Sequence, residues 1–201
     1  MCNTEVAEAT RSFMNERIAA RSTNPEELML MAQDASAAVR RLVAWNPATP
    51  KTILRLLVDD PDAFVRAEVA MHIDDPDILA KLANDENKWV RLPVAHRTDD
   101  PSMLAKLADD TDADVRAKVA MRTSDPAILA KLVNDVAVSV RAEVAKRIDD
   151  PDILARLATD YHRWVRAEVA KRIDDPVMLA KLANDENEWV RGIAKSRINP
   201  W

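Results

Sequence analysis

A valine followed by an arginine recurs along this chain at an almost fixed spacing, and this period limits what the chain can fold into. The pair stands at 39–40, 65–66, 90–91, 115–116, 140–141, 165–166 and 190–191. The first interval is 26 residues and the next five are 25 residues each. The surrounding dodecamer VRAEVAKRIDDP occurs at 140–151 and again at 165–176. Such a period is typical of a solenoid, in which each repeat buries its apolar face against its neighbours.

Each repeat has the pattern of two short helices. The first is expected to begin at Asp-Pro, as at Asp75 and Pro76, because aspartate is a favoured N-cap and proline suits the first helical position. Its length of about eight residues allows either an α-helix or a 3₁₀ helix. The second helix is predicted to begin near Asp85 and to end around Arg97, where a positive charge suits a helix C-terminus.

The two ends of the chain are predicted to be caps. The stretch FMNERIAARSTNP at 13–25 aligns with WVRAEVAKRIDDP, with Asn15 in the place of the arginine. Residues 1–23 are therefore predicted to be an N-terminal capping helix, a half-repeat. Residues 24–201 are predicted to be a solenoid of about seven repeats. Its last repeat, near 176–201, is expected to be a C-terminal cap, because Gly192 and Lys195 break the pattern there.

Composition argues against enzymatic and metal chemistry. The single glycine, Gly192, excludes most glycine-rich phosphate loops, and the single cysteine, Cys2, excludes a cysteine metal cluster. The stretch DDTDAD at 109–114 lacks the glycine and the glutamate of a calcium loop. The three histidines lie far apart in the sequence. We therefore expect no catalytic residues, no cofactor and no metal site.

Charge and hydropathy suggest where the protein works. Its net charge is −5, with acidic and basic residues interleaved, whereas nucleic-acid-binding proteins usually carry a basic patch. No apolar run approaches the ~20 residues that span a bilayer, and the first residues lack the apolar core of a secretory signal. These features predict a cytoplasmic protein that does not enter a membrane.

The repeat resembles a known family. NPATP at 46–50 is followed by LRLLVDDPDAFVRAEVA at 54–70, and later repeats keep DP-x-x-LAKLA-x-D and VR-x-x-VA in fixed phase. This pattern resembles the variant leucine-rich repeat (LRV) from about residue 24 to the end. The resemblance implies an all-α, right-handed superhelical solenoid of alternating α and 3₁₀ helices. The iron–sulfur domain of some LRV proteins is not implied, because only Cys2 is present. HEAT-like repeats are the nearest alternative, but they usually run longer.

A ladder of aspartates accompanies the ladder of arginines. An aspartate precedes each arginine of the Val-Arg pairs by six residues. A guanidinium could bridge aspartates and helix carbonyls of neighbouring repeats, or the arginines could form a basic track for phosphates. The strict pairing of the two ladders favours the structural interpretation. The predicted structural ladder comprises Asp60, Arg66, Asp85, Arg91, Asp110, Arg116, Asp135, Arg141, Asp160, Arg166, Asp185 and Arg191.

An aromatic residue occupies the same position in four repeats. Other repeats place Ala38, Asp114 and Ser139 there, so we expect these aromatic rings to be at least partly exposed. Exposed aromatics among polar neighbours are typical of the centre of a protein interface. The alternative is that each ring folds over the side of the next helix. The candidate partner-binding residues are Phe64, Trp89, His96, Trp164, Lys171 and Trp189.

These patterns favour a non-enzymatic protein–protein interaction or scaffold module that binds a protein partner along its surface. The alternative is a nucleic-acid-binding helical repeat that uses the arginine ladder. Within 161–164, the sequence YHRW could contact a base or a phosphate, although a solvated helix start is the simpler interpretation.

Overall fold

The chain consists of helices joined by short turns. A computed structural model describes residues 2–199, with side chains from residue 11 onward. Within these residues there are fifteen α-helices, one 3₁₀ helix and no strand. The chain divides into two compact units, an N-terminal unit of Met1–Arg97 and a C-terminal unit of Thr98–Trp201. The prediction of an all-α repeat fold is confirmed.

The N-terminal unit contains seven α-helices. They are α1 (Cys2–Arg21), α2 (Pro25–Met31), α3 (Ala37–Trp45), α4 (Lys51–Leu56), α5 (Ala63–His72), α6 (Pro76–Leu82) and α7 (Lys88–Arg97). The 3₁₀ helix, Leu57–Asp59, directly follows α4. Helix α1 lies within residues 1–23, whose role as an N-terminal cap stays a prediction.

The C-terminal unit contains eight α-helices. They are α8 (Pro101–Leu107), α9 (Ala113–Arg122), α10 (Pro126–Leu132), α11 (Val138–Arg147), α12 (Pro151–Leu157), α13 (Arg163–Ala170), α14 (Pro176–Leu182) and α15 (Glu188–Ile198). Of the two predicted caps, Met1, Pro200 and Trp201 lie outside the described residues.

The short helix of most repeats begins at Asp-Pro, as predicted. The Asp75 carboxylate accepts hydrogen bonds from the N–H groups of Asp77 and Ile78, and Pro76 is the first helical residue. Asp100, Asp150 and Asp175 cap their helices in the same way, and Asp125 accepts from the N–H of Ala127. These short helices are α-helical. Over residues 2–199, the 3₁₀ helix implied by the resemblance occurs only at Leu57–Asp59.

The prediction that the longer helix begins near Asp85 was wrong by three residues. Helix α7 begins at Lys88, and Asn87 is the capping residue, whose side chain accepts from the N–H of Trp89. The Asp85 carboxylate instead accepts from the N–H of Asn87 and closes a turn before the helix. The recurrent aspartate therefore shapes the turn, and the residue two positions later stands at the N-cap of the helix.

The longer helices form the core of each unit. In the N-terminal unit α3 packs between α1 and α5, and α5 packs between α3 and α7. In the C-terminal unit α11 packs between α9 and α13, and α13 packs between α11 and α15. Each helix from this set apart from α1 and α15 turns two valines and an alanine inward; in α5 they are Val65, Val69 and Ala70, all fully buried. Burying a valine stabilises a fold by about 1.5 kcal/mol or more, so the repeated stripe is a large stabilising term.

Candidate functional site

The arginine of each Val-Arg pair connects two repeats. Arg66 Nε and Nη2 donate to the two carboxylate oxygens of Asp85 at 2.7 and 3.0 Å, forming a bidentate pair. Arg66 Nη1 donates to the carbonyl oxygen of Asp60 at 2.7 Å, in its own repeat. One guanidinium therefore joins the turn that precedes its helix to the corresponding turn of the next repeat.

The same bidentate pair recurs in both units. We call each such pair a forward rung, and in all of them the arginine Nε lies 2.6–2.7 Å from the carboxylate. The forward rungs are Arg40–Asp60 and Arg66–Asp85 in the N-terminal unit, and Arg116–Asp135, Arg141–Asp160 and Arg166–Asp185 in the C-terminal unit.

The remaining ladder positions follow the same geometry. Arg91 donates to the carbonyls of Asp85 and Glu86, and Arg191 donates to those of Asp185 and Glu186. The Asp110 carboxylate accepts from the N–H of Asp112. At the start of the chain, Asn15 Nδ2 donates to Asp34 at 2.6 Å. Asn15 thus makes a single hydrogen bond at the position that the alignment assigned to an arginine.

The forward rungs hold their charges in a shielded environment. Burial alone would raise the pKa of Asp60, but hydrogen bonds from Arg40 and from the N–H of Asp62 lower that pKa below its ordinary value. The pKa values of Asp85, Asp135 and Asp185 are lowered for the same reasons. The side chains of Arg141 and Asp160 are only 5% and 7% exposed. A phosphate could reach such a guanidinium only by displacing its aspartate.

A second set of arginines, which the sequence analysis missed, connects repeats in the opposite direction. Arg97 at the end of α7 donates to the carbonyls of Ala70 and Ile73 at 2.9 and 2.7 Å and to the Asp74 carboxylate at 2.7 Å. We call these residues backward arginines. In the C-terminal unit they are Arg122, which reaches Asp99, Arg147, which reaches the carbonyl of Thr123, and Arg172 and Arg197, which repeat the full pattern.

The recurrent aromatic side chains are exposed, in agreement with the sequence prediction. Phe64, Trp89, Trp164 and Trp189 are 45–54% exposed. In the N-terminal unit, Phe64 lies on α5 and Trp89 on the neighbouring α7. His96 is exposed on α7, two turns after Trp89.

Three candidate residues come together in the C-terminal unit. Trp164 and Trp189 open onto one shallow depression of about 340 Å³, whose lining also includes Arg163, Asn187 and Glu188. Lys171, directly after α13, places its ammonium 5.7 Å from the centroid of the Trp189 ring and 2.7 Å from a carboxylate oxygen of Glu168. We call Trp164, Trp189 and their lining residues the Trp164–Trp189 surface.

The sequence YHRW at 161–164 forms the capped start of α13. His162 Nδ1 accepts from the N–H of Trp164 at 3.2 Å, which makes His162 the capping residue. The Arg141 guanidinium lies 4.5 Å from the centroid of the Tyr161 ring. Tyr161 therefore covers a forward rung, and Trp164 contributes to the Trp164–Trp189 surface.

The side chains of residues 11–199 contain no group of three or more His, Cys, Asp or Glu residues that could hold a metal ion. None of the helices described is both long enough and apolar enough to cross a membrane.

Comparison with known proteins identifies the class of fold. No family model matches the chain, and no curated protein matches it. A solved structure described as a leucine-rich repeat variant with a novel repetitive protein structural motif matches with a TM-score of 0.75 and 29% sequence identity. The match covers 90% of this chain and 74% of that one. The chain therefore has an LRV-like helical repeat fold, which in general suits a protein-interaction scaffold.

Proposed function

We propose that this protein is a non-enzymatic interaction module and that the Trp164–Trp189 surface binds a protein partner. The observation that carries the proposal is that two half-exposed tryptophans on neighbouring helices open onto the same depression. Tryptophan is among the residues that contribute most to binding energy at protein interfaces.

The packing beneath this surface favours binding by a preformed site. The forward rung between Arg166 and Asp185 joins the turns that precede α13 and α15, the helices that carry Trp164 and Trp189. A surface held in place before binding loses less conformational entropy when the partner arrives. The rim is polar, with Arg163, Asn187 and Glu188 around the rings, which is the usual composition around an interface core.

The N-terminal unit offers a second candidate contact. Phe64 and Trp89 occupy the equivalent positions on α5 and α7, and His96 is exposed farther along α7. We expect these residues to bind protein as well, with an affinity set by their own neighbours. Lys88 lies 5.2 Å from the centroid of the Trp89 ring and covers part of it.

Nucleic acid is the less favoured partner for a physical reason. The arginines of the forward rungs already donate to aspartates and to backbone carbonyls, so a phosphate would have to break those pairs. The net charge of −5 would also repel a polyanion.

The test is affinity capture from lysate with three forms of the chain. These are the wild type, a Trp164→Ala/Trp189→Ala variant, and a control variant, Val136→Ser/Val177→Ser, which removes exposed apolar side chains elsewhere in the C-terminal unit. Matching thermal melts of the three would establish that they share one fold.

The proposal predicts that the wild type and the control capture a protein that the tryptophan variant does not capture. The same result is expected after the lysate is treated with nuclease. Equal retention by all three forms would contradict the assignment of this surface. Retention of nucleic acid alone, weakening steeply with salt, would replace the proposal by its alternative.

A further inference from the structure

Four of the seven exposed aromatic rings in residues 11–199 have a cation of the chain close to them. Arg17 lies 6.0 Å from the centroid of the Phe13 ring, and Lys88, Arg141 and Lys171 lie 4.5–5.7 Å from Trp89, Tyr161 and Trp189. A cation at such a distance is attracted by the negative face of the ring. Among the side chains of residues 11–199, none places a cation over Trp45, Phe64 or Trp164, and the Trp45 side chain is 50% exposed.

Trp45 opens onto a depression with both apolar and anionic walls. The depression has a volume of about 410 Å³, and Ala38 and Leu42 of α3 contribute its apolar part. Two carboxylates line it, Glu16 from α1 and Glu68 from α5, the helices on either side of α3. We call this site the Trp45 depression; Arg41 is its remaining lining residue.

The charges of the Trp45 depression are only partly neutralised. Arg41 Nε lies 3.3 Å from a Glu68 oxygen, and His72 lies 3.8 Å from the other. The Glu16 carboxylate makes no hydrogen bond or ion pair with the side chains of residues 11–199. The Arg41 side chain is 54% exposed, so its pair with Glu68 is a weak surface contact that a second cation can share.

The C-terminal unit brings a ring, a carboxylate and a cation together, although its ring stands at the recurrent aromatic position and not at the position of Trp45. There the Lys171 ammonium lies between the Glu168 carboxylate and the Trp189 ring. In the repeat register, Trp45 stands at the position of Lys171, five residues after the arginine of its Val-Arg pair. At Trp45 the N-terminal unit has an exposed ring and two flanking carboxylates, and no side chain of residues 11–97 supplies a cation over that ring.

We propose that the Trp45 depression binds the lysine or arginine side chain of a partner polypeptide. The charged end would lie against the Trp45 ring within reach of Glu16 and Glu68, and the aliphatic stem would pack on Ala38 and Leu42. The two carboxylates and the net charge of −5 attract a basic partner and repel an anionic partner. This site is separate from the Trp164–Trp189 surface and does not depend on it.

The test is a titration with hexalysine, followed by NMR at the indole N–H of Trp45. The signal is assigned by its loss in a Trp45→Phe variant. Dissociation constants are then measured for the wild type, for Trp45→Ala and for Glu16→Gln/Glu68→Gln. The matched control is Glu26→Gln/Glu86→Gln, which changes net charge equally at exposed carboxylates outside the depression.

The proposal predicts that hexalysine shifts the Trp45 signal and that hexaglutamate leaves it in place. Trp45→Ala and Glu16→Gln/Glu68→Gln should each raise the dissociation constant about fivefold, and the control less than about twofold. A Trp164→Ala/Trp189→Ala variant should keep the Trp45 shift, which separates this site from the proposed function. A Trp45 signal that hexalysine leaves unmoved, or equal weakening by the matched control, would overturn the proposal.

Discussion

The outward side of α3 in the N-terminal unit differs from that of α13 in the C-terminal unit, although the two helices are built alike. On α3 in the N-terminal unit the outward pair is Leu42 and Trp45. At the equivalent positions of the C-terminal unit, Glu168 at the end of α13 binds Lys171 at 2.7 Å. Leu42 and Trp45 are apolar and aromatic, whereas the opposite charges of Glu168 and Lys171 neutralise each other.

The buried contacts beneath these pairs are the same in both units. Val39, Val43 and Ala44 on α3 and Val165, Val169 and Ala170 on α13 are all fully buried. Arg40 and Arg166 each form a forward rung to the next repeat. The forward rungs and the valine stripe are therefore shared by the two helices, whereas the outward pairs differ.

The largest effect should come from breaking a forward rung. We expect Arg141→Met to lower the free energy of unfolding by about 3 kcal/mol, because Asp160 is left buried without its partner. The control, Lys146→Met on the same helix, removes one member of an exposed pair and should cost less than about 0.5 kcal/mol. Urea unfolding followed by circular dichroism measures both, and equal losses would contradict the distinction between buried and outward pairs.

Acid should weaken the forward rungs together. The pKa values of Asp60, Asp85, Asp135 and Asp185 are lowered in the folded chain, so these carboxylates stabilise it above the ordinary carboxyl pKa of ~3.9. That stabilisation is lost as the pH falls through the lowered values. We expect the free energy of unfolding to decrease with acid below about pH 4 and to vary little between pH 5 and 8 from these groups.

Neutral variants test the origin of the acid effect. Asp135→Asn should reduce the pH dependence of the unfolding free energy, since it removes one lowered pKa. Glu143→Gln, in the outward pair with Lys146, should leave the dependence nearly unchanged. If Glu143→Gln changed the pH dependence more than Asp135→Asn did, the forward rungs would not be the source of the loss of stability in acid.

A backward arginine should contribute less than a forward rung. Arg172 donates to the carbonyls of Ala145 and Ile148 and pairs with Asp149, but its side chain is 31% exposed. We expect Arg172→Met to cost about 1 to 1.5 kcal/mol, because water can replace part of what the guanidinium supplies. The same urea unfolding measures this loss of unfolding free energy. A loss as large as that caused by Arg141→Met would show that side-chain exposure does not distinguish backward arginines from forward rungs.

The smallest of these effects should have the opposite sign. Ala137 stands at the N-cap of α11 and its side chain makes no capping bond, whereas Asn187 caps α15 at the equivalent position. We expect Ala137→Asn to stabilise the chain by about 0.5 to 1 kcal/mol by accepting from an unpaired N–H of the first turn. A thermal melt of the variant beside the wild type checks the sign, and a lower melting temperature would contradict it.

The fold could be predicted from the sequence because the side chains that form the repeats recur at a fixed spacing. The Val-Arg period indicated the repeats, and the Asp-Pro pairs indicated the short helices that begin at Pro76 and its equivalents. The start of the longer helix was misplaced because a capping aspartate and a turn-forming aspartate look alike in sequence. Only the hydrogen bonds of Asp85 and Asn87 distinguish the two roles.

The backward arginines and the Trp45 depression were missed for different reasons. Arg97 and its equivalents donate to backbone carbonyls, which every residue carries, so the acceptors leave no mark in the sequence. The positive charge of Arg97 was also already explained by its position at a helix C-terminus, so no partner in another repeat was sought. Trp45 lies outside the recurrent aromatic position, and its surroundings depend on Glu16 and Glu68 from two other helices.

The central claim is that the buried contacts hold the fold while the outward pairs are exchangeable. The most direct test is a variant that exchanges the two pairs, with Leu42→Glu and Trp45→Lys in one unit and Glu168→Leu and Lys171→Trp in the other, compared with Arg141→Met in urea. The account predicts that the exchange changes the free energy of unfolding by less than about 1 kcal/mol, while Arg141→Met lowers it by about 3 kcal/mol. An exchanged chain that unfolds as early as Arg141→Met would contradict the claim.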